Sequence, residues 1–215
     1  GDLEAGWAAF EHRWRKKSNA GKRPELPFPE WRGEPLQGRS ILVFAEQGLG
    51  DIVQFSRYLP LLQDRGADVG FLVSNRVHKI LGASFPGIRF FNDVQQVHTT
   101  SFDFSCAMMS LPLHFKTRLD SIPGDVPYLK SSQERVAHWR SRIGEQGFKV
   151  GICWQGNPFV AIDAGRSFPL EAFAPLAAIP GVRFISLQKN EGVEQLKQCP
   201  FAIETLVTPP MDPAE

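Results

Sequence analysis

SILVFAEQGLGDIVQFSRYLPLL, residues 40–62, changes character twice along its length. Residues 40–46 form a short, mostly apolar run of the kind that makes a buried parallel strand. Gly48-Leu49-Gly50-Asp51 is a turn. Ile52, Phe55, Leu59 and Leu62 then recur at helical spacing and predict a helix with one buried face. Strand, turn and helix in that order make a βα unit, and the unit repeats downstream. DVGFLVS (68–74) predicts a second strand, 76–83 a short helix ending near Pro86-Gly87, and 88–91 a third strand. This is the alternation of a doubly wound α/β domain.

Beyond residue 102 the pattern thins: FDFSCAMMSLP predicts a further strand and loop, and the proline-punctuated IPGDVPYL leaves the domain. Residues 133–145 predict a helix with Val136, Trp139 and Ile143 on one face. The alternation then restarts, with strand 149–154 (KVGICW), helix 170–178, strand 182–187 (VRFISL) and a short helix 192–198. A second α/β domain begins here, with at most three strands before residue 215. Upstream, Leu3, Trp7, Phe10 and Trp14 draw an apolar stripe along a helix over 2–17. The Pro- and Gly-rich segment 18–38 predicts an extended connector, pinned by Phe28 and Trp31 to a neighbouring surface. The expected organisation is a terminal helix (1–17), a linker (18–38), a first domain (39–130), an interdomain helix (131–148) and the start of a second domain (149–215).

At roughly 100–150 residues per domain, 215 residues suit one and a half α/β domains. The 24 basic and 23 acidic side chains balance to +1, which argues against nucleic acid or an anionic membrane as the main partner. Cys106, Cys153 and Cys199 are odd in number and widely spaced, as expected of reduced thiols in a cytoplasmic protein. No apolar run approaches the roughly 20 residues that span a bilayer, and GDLEAGW lacks the marks of a signal peptide.

The chemistry concentrates where strands end. Gln47, Gly48, Gly50 and Asp51 fall at the carboxyl edge of the first sheet, where open α/β proteins bind ligands. Gly48 and Gly50 start a G-x-G-x-x-G pattern, but its third position is Val53, and no Lys-Ser/Thr pair follows to make a P-loop. This argues against a nicotinamide dehydrogenase. Asp51 opens the following helix, where a carboxylate can serve as an N-cap, as a general base facing a substrate hydroxyl, or as both. In the second domain Trp154, Gln155 and Asn157 follow a strand, in a loop suited to a domain cleft or to an ordinary turn. Arg166 and Ser167 precede a helix whose N-terminus can hold phosphate, and a solvated surface arginine is the simpler reading. Ser186 to Glu191 is a third polar loop on the same expected edge. His12, His78, His98, His114 and His138 form no motif with Cys, Asp or Glu and read as surface or packing residues. No metal site or catalytic triad can be assembled.

AEQGLGDIVQFSRYLPLL, followed by WQGNP and RSFPLEAFAPLAAIPGVRFISLQ, resembles the glycosyltransferase family 9, or heptosyltransferase-like, domain of bacterial tetratricopeptide-repeat (TPR) proteins. GDLEAGWAAFEHRWR resembles the end of the preceding repeat array. The resemblance spans nearly the whole chain. It implies a GT-B fold of two Rossmann-like domains facing across a cleft, the second incomplete here and the first preceded by a TPR-type helix. It also implies inverting, metal-independent transfer without a cofactor, from a nucleotide-diphospho-sugar to a glycan, lipid-linked glycan or protein acceptor, with protein partners reached through the repeats. Asp51 then matches the family's proposed base, Arg166 its phosphate contact, and Gln188 to Glu191 its donor-site polar residues. The family's Asp-Thr and His-Leu donor signature would follow residue 215, so the 215-residue chain is expected to lack transferase activity by itself. The competing expectation is a non-catalytic, TPR-linked binding or scaffold module.

Overall fold

The computed structural model describes residues 2–17, 23–159, 163 and 165–206. Residues 18–22 of the expected linker and 207–215 of the second domain lie outside the described residues. The chain divides into two compact units, Gly1–Ser132 and Gln133–Glu215. Both are α/β with parallel sheets, compatible with a Rossmann-like fold.

In the first unit β1 (Ser40–Phe44), β2 (Asp68–Leu72), β3 (Arg89–Phe91) and β4 (Phe104–Ala107) form one sheet in the order β3-β2-β1-β4. All three pairings are parallel, and β1 lies between β2 and β4. The winding therefore reverses between β1 and β4, which makes their carboxyl ends the topological switch point. Side chains alternate across β1. Ile41 and Val43 join the larger core with Leu59, Leu62, Val69, Phe71 and Leu81, whereas Leu42 faces a smaller one with Val97 and Phe102. A side chain at Gly70 would put its Cβ 2.5 Å from the Phe102 ring, so the absence of one there admits Phe102 against the sheet.

The single helix expected after the first strand is instead α2 (Leu49–Phe55), a 3-10 turn (Ser56–Tyr58) and α3 (Leu59–Asp64). Pro60 lacks the N–H that would bond back to Ser56, and its ring crowds the Ser56 carbonyl, so the α-helical ladder is interrupted just before it. The expected buried face persists across the break in Ile52, Leu59 and Leu62, with Phe55 half-buried. Next come α4 (Asn75–Ser84), α5 (Val94–His98) and α6 (Leu111–His114). The sequence reading did not resolve α5 or α6. Both are short, and α5 is marked by a local cap, with Asp93 accepting from the Gln95 amide at 3.0 Å.

The connector is pinned as expected. Trp31 is fully buried, its amide donates to the Ser105 carbonyl at 2.8 Å, and Phe28 meets Phe102 edge-on at 5.4 Å between centroids. Glu30 bridges Ser105 in parallel, extending the sheet past β4. Upstream, α1 (Leu3–Phe10) continues as a 3-10 turn (Glu11–Arg15). Its predicted stripe of Leu3, Trp7, Phe10 and Trp14 is half-buried, and Trp7 Nε1 donates to the Thr117 carbonyl at 2.9 Å. This arm is packed on the first unit.

The second unit contains α7 (Gln133–Ile143), β5 (Phe148–Ile152), β6 (Val182–Ser186) and β7 (Ile203–Thr205), with the strands parallel in that order. A 3-10 turn (Leu170–Phe173) leads into α8 (Ala174–Ala177). Ile152, Trp154, Leu170 and Phe184 form its core. Trp139 and Ile143 of α7 are half-buried, but Val136 is exposed. β5 ends at Ile152, two residues before the predicted limit. The Trp154 and Gln155 amides donate to the Gln188 side chain, not to a strand.

Candidate functional site

Two sets of loops lie at the carboxyl ends of the parallel strands, one in each unit. In the first, the chain leaves β1 through Ala45 and Glu46 and turns sharply at Gln47, which is in the left-handed region (φ 66°). Gly48 is the N-cap of α2, with extended backbone. Asp51 is therefore the third residue of the helix, not the N-cap expected on one reading. Its Oδ2 accepts from the Gly48 amide at 2.9 Å, the reciprocal half of a capping box. Among the described residues the second Asp51 oxygen accepts no hydrogen bond, and Asp51 is only half-buried. Gly48 permits this approach, since a Cβ there would lie 3.2 Å from Asp51 Oδ2. Gly50 is exposed, with nothing within 4 Å of where a side chain would start. Bare backbone and a half-engaged carboxylate therefore share one turn.

Beneath this turn lies a cluster that the sequence reading missed. Arg13 is 4% exposed. Its Nε and Nη2 donate to Glu46 Oε2 and Oε1, both at 2.8 Å, in a bidentate pair. Nη2 also reaches Ser110 Oγ at 2.8 Å, and Nη1 reaches Glu11 Oε1 at 2.7 Å. Glu46 Oε1 accepts in addition from the Met109 amide at 3.0 Å. The guanidinium lies 4.7 Å from the centroid of Phe10 and 4.8 Å from that of Trp14. Burial works against the charge, but the bonds to Glu46 and Glu11 outweigh it and hold the Arg13 pKa above its ordinary value. One sequence signal was available: Arg13 sits beside Trp14 and three residues after Phe10, within the apolar stripe of the arm.

In the second unit Gln188 organises the loops. Although 7% exposed, it uses both ends of its amide: Oε1 accepts from Trp154 and Gln155 (3.0 and 3.1 Å), and Nε2 donates to the carbonyls of Gln155 and Glu191 (2.8 and 2.7 Å). Trp154 is buried, and its Nε1 donates to the Gly192 carbonyl at 3.0 Å. Ser167 accepts from the Gly156 amide at 2.9 Å and donates to Asp163 at 2.7 Å. Gln195 accepts from the Leu170 amide at 2.8 Å, so one donor at the start of the 170–173 turn is already occupied. Gln195 also donates to Gln155 at 3.0 Å. Asn157 caps its own turn through the Phe159 amide at 3.0 Å.

The loop residues expected from sequence therefore do come together, but Trp154 and Gln188 brace each other, and the Ser167 hydroxyl is taken up by Gly156 and Asp163. Gln155, Asn157, Arg166 and Glu191 line the accessible side. Arg166 is exposed, and among the described residues its side chain has no hydrogen-bond or ionic partner. The Glu191 side chain is likewise exposed.

The histidines take surface or packing positions, with His78 stacked on Phe90 at 5.1 Å and His114 against Trp31 at 5.0 Å. Cys106 is buried, which pushes its thiol pKa strongly up, whereas Cys153 is exposed and Cys199 intermediate. Among the described residues no three His, Cys, Asp or Glu are grouped to hold a metal, and no helix is long and apolar enough to cross a membrane.

Comparison with known proteins finds one named relative. The chain is 27% identical over 224 aligned positions to Protein FlbA of Caulobacter vibrioides. The alignment covers 96% of this chain and 37% of that protein, so the chain spans little more than a third of its relative's length. No protein-family model matches the chain. No solved structure matches it either.

Proposed function

We propose that this chain is part of a cytoplasmic GT-B glycosyltransferase of the heptosyltransferase-like type, joined through its N-terminal helix to a TPR array. It moves a sugar from a nucleotide-diphospho-sugar to a hydroxyl of a glycan, lipid-linked glycan or protein, with inversion and without a metal. The first unit takes the acceptor, through Gln47, Gly48, Gly50 and Asp51. The second takes the donor, through Gln155, Asn157, Arg166 and Glu191 on a frame made by Trp154, Ser167 and Gln188.

The observation that carries this reading is Asp51. It stands beside the switch point of the first sheet with one oxygen fixed by the Gly48 amide and the other unclaimed among the described residues. A carboxylate held in this way has a fixed direction and a free lone pair, which is what removing a proton from an acceptor hydroxyl requires. The Arg166 guanidinium, exposed and without a partner among the described residues, suits a departing diphosphate. The test is turnover by the native-length protein with sugar nucleotides, wild type against Asp51→Asn. Full activity in the variant overturns the base assignment.

A second reading, a non-catalytic binding module built on a transferase fold, is favoured by one observation. Much of the polar surface of the second unit's loops is spent internally, above all by Gln188. Thermal unfolding with nucleoside diphosphates separates binding from its absence. A ligand at 100 times its Kd stabilises the native state by about 2.7 kcal/mol. Base-selective stabilisation without transfer supports the binding module, whereas stabilisation with transfer supports the enzyme.

A further inference from the structure

The switch point of an open α/β sheet is where a crevice ordinarily receives a ligand. Here the carboxyl ends of β1 and β4 are bridged from within the chain. Arg13 bonds Glu46 after β1 and Ser110 after β4, and the Met109 amide closes the same bridge onto Glu46. Glu46 has a side chain only 7% exposed and directly precedes Gln47, whose left-handed backbone starts the turn carrying Asp51.

We propose that Arg13 is a positioning residue: the N-terminal arm fills the switch-point crevice of the first unit and, by gripping Glu46, sets the geometry of the 47–51 turn. The identity of Asp51 as the group being positioned rests on the transferase reading, but the grip itself does not. The argument is geometric. A bidentate guanidinium–carboxylate pair fixes the carboxylate in direction as well as distance, which a single ammonium contact cannot do. Phe10 and Trp14 hold the guanidinium from the arm side, and Trp7 anchors that arm through the Thr117 carbonyl. With Glu46 fixed on both oxygens, the backbone leaving β1 has little freedom before Gln47. Gly48 is then presented to Asp51 and, through its carbonyl, to the Ile52 amide at 3.1 Å. The arm is thus a working part of the site.

The test is residue-resolved amide exchange on the whole chain without ligand, comparing wild type with Arg13→Lys and Glu46→Gln. Gly48 and Ile52 report on the turn; Val69 and Phe71, in β2, report on the sheet. Positioning requires the turn amides to exchange at least about tenfold faster in both variants while the strand amides hold, because local openings are read separately from global ones. Unchanged turn amides overturn the proposal. So does an equal acceleration across the whole unit, which is the mark of a clamp that only stabilises.

Arg13→Ala supplies a second readout: ethylguanidinium restores slow exchange in the turn and ethylammonium does not. Rescue by neither, or by both alike, counts against the bidentate grip. If Arg13→Ala does not fold, the Lys and Gln variants carry the comparison. In the native-length protein Arg13→Lys lowers kcat with KM little changed. Faster turn exchange together with full turnover in Asp51→Asn leaves the grip standing and removes the base assignment. Unchanged exchange with an inactive Asp51→Asn does the reverse.

Discussion

Asp51 Oδ2 accepts the amide hydrogen of Gly48 at 2.9 Å, three residues back along the chain, while Gly48 itself caps the helix that Asp51 has already entered. The carboxylate thus serves the fold with one oxygen, and among the described residues the other accepts no hydrogen bond. The structural role of Asp51 and the base role proposed for it can therefore be separated by a substitution that meets only the first.

Asp51→Asn is that substitution. The Asn carbonyl oxygen can still accept from Gly48, so the change in stability is expected to stay under about 1 kcal/mol, the scale of a capping contact. A neutral amide cannot take a proton, and loss of a general base costs about 10²–10⁴-fold in turnover. Thermal unfolding and initial rates, measured on the same preparation, check both halves.

Gln188 makes the opposite case, a sequence-nominated donor residue that the fold consumes. Gln188→Glu keeps the shape but has no N–H to give the Gln155 and Glu191 carbonyls, and it buries a charge. The expected loss is about 2–4 kcal/mol from the second unit. Chemical denaturation reads it directly. A variant that weakened nucleotide binding at unchanged stability would return Gln188 to the list of ligand contacts.

The elements that sequence revealed were those whose signals are local. The apolar run at 40–46 and the recurrence of Ile52, Leu59 and Leu62 depend on near neighbours, and both appear where periodicity put them. The break at Ser56–Tyr58 was also written locally, in Pro60, and went unread because the apolar face runs straight through it. Arg13 was hidden for a different reason. Its worth depends on Glu46 and Ser110, far along the chain, and a lone arginine beside aromatic residues looks the same whether its partner is water or a buried carboxylate. Trp154 and Gln188 belong to one loop cluster of the second unit. Which of their groups remain free could be decided only by the hydrogen bonds between loops.

His114 gives the first unit a dependence on pH. Burial, with Arg65 nearby, holds its pKa below the ordinary value of 6.5, against the pull of Glu11, Glu30 and Glu34. As pH falls through about 6.5, the unfolded chain takes up a proton that the folded chain refuses, so unfolding is favoured. The contribution is fully present above that pH and is lost as pH drops through the lower folded value. Melting temperature is expected to decline from about pH 7 downward. His114→Gln should flatten that slope, whatever it does to stability at neutral pH. An identical slope in the variant would assign the decline to other groups.

Gly192 and Gly181 both lie in the left-handed region, at φ 88° and 81°, but in different surroundings. A Cβ on Gly192 would fall 2.9 Å from Gln155 Cβ and 3.1 Å from Trp154 Nε1, whereas one on Gly181 meets nothing within 4 Å. Gly181→Ala therefore carries only the backbone cost, about 1–2 kcal/mol. Gly192→Ala carries the same cost and also pushes on the Trp154 indole that donates to its own carbonyl. The expected excess is at least about 1 kcal/mol, the low end of overpacking in a tight interior. Denaturation midpoints of the two variants, with the Trp154 indole N–H resonance as the probe, measure that difference. Equal losses would mean that the loop relaxes freely around Trp154 and is no rigid frame for the residues beside it.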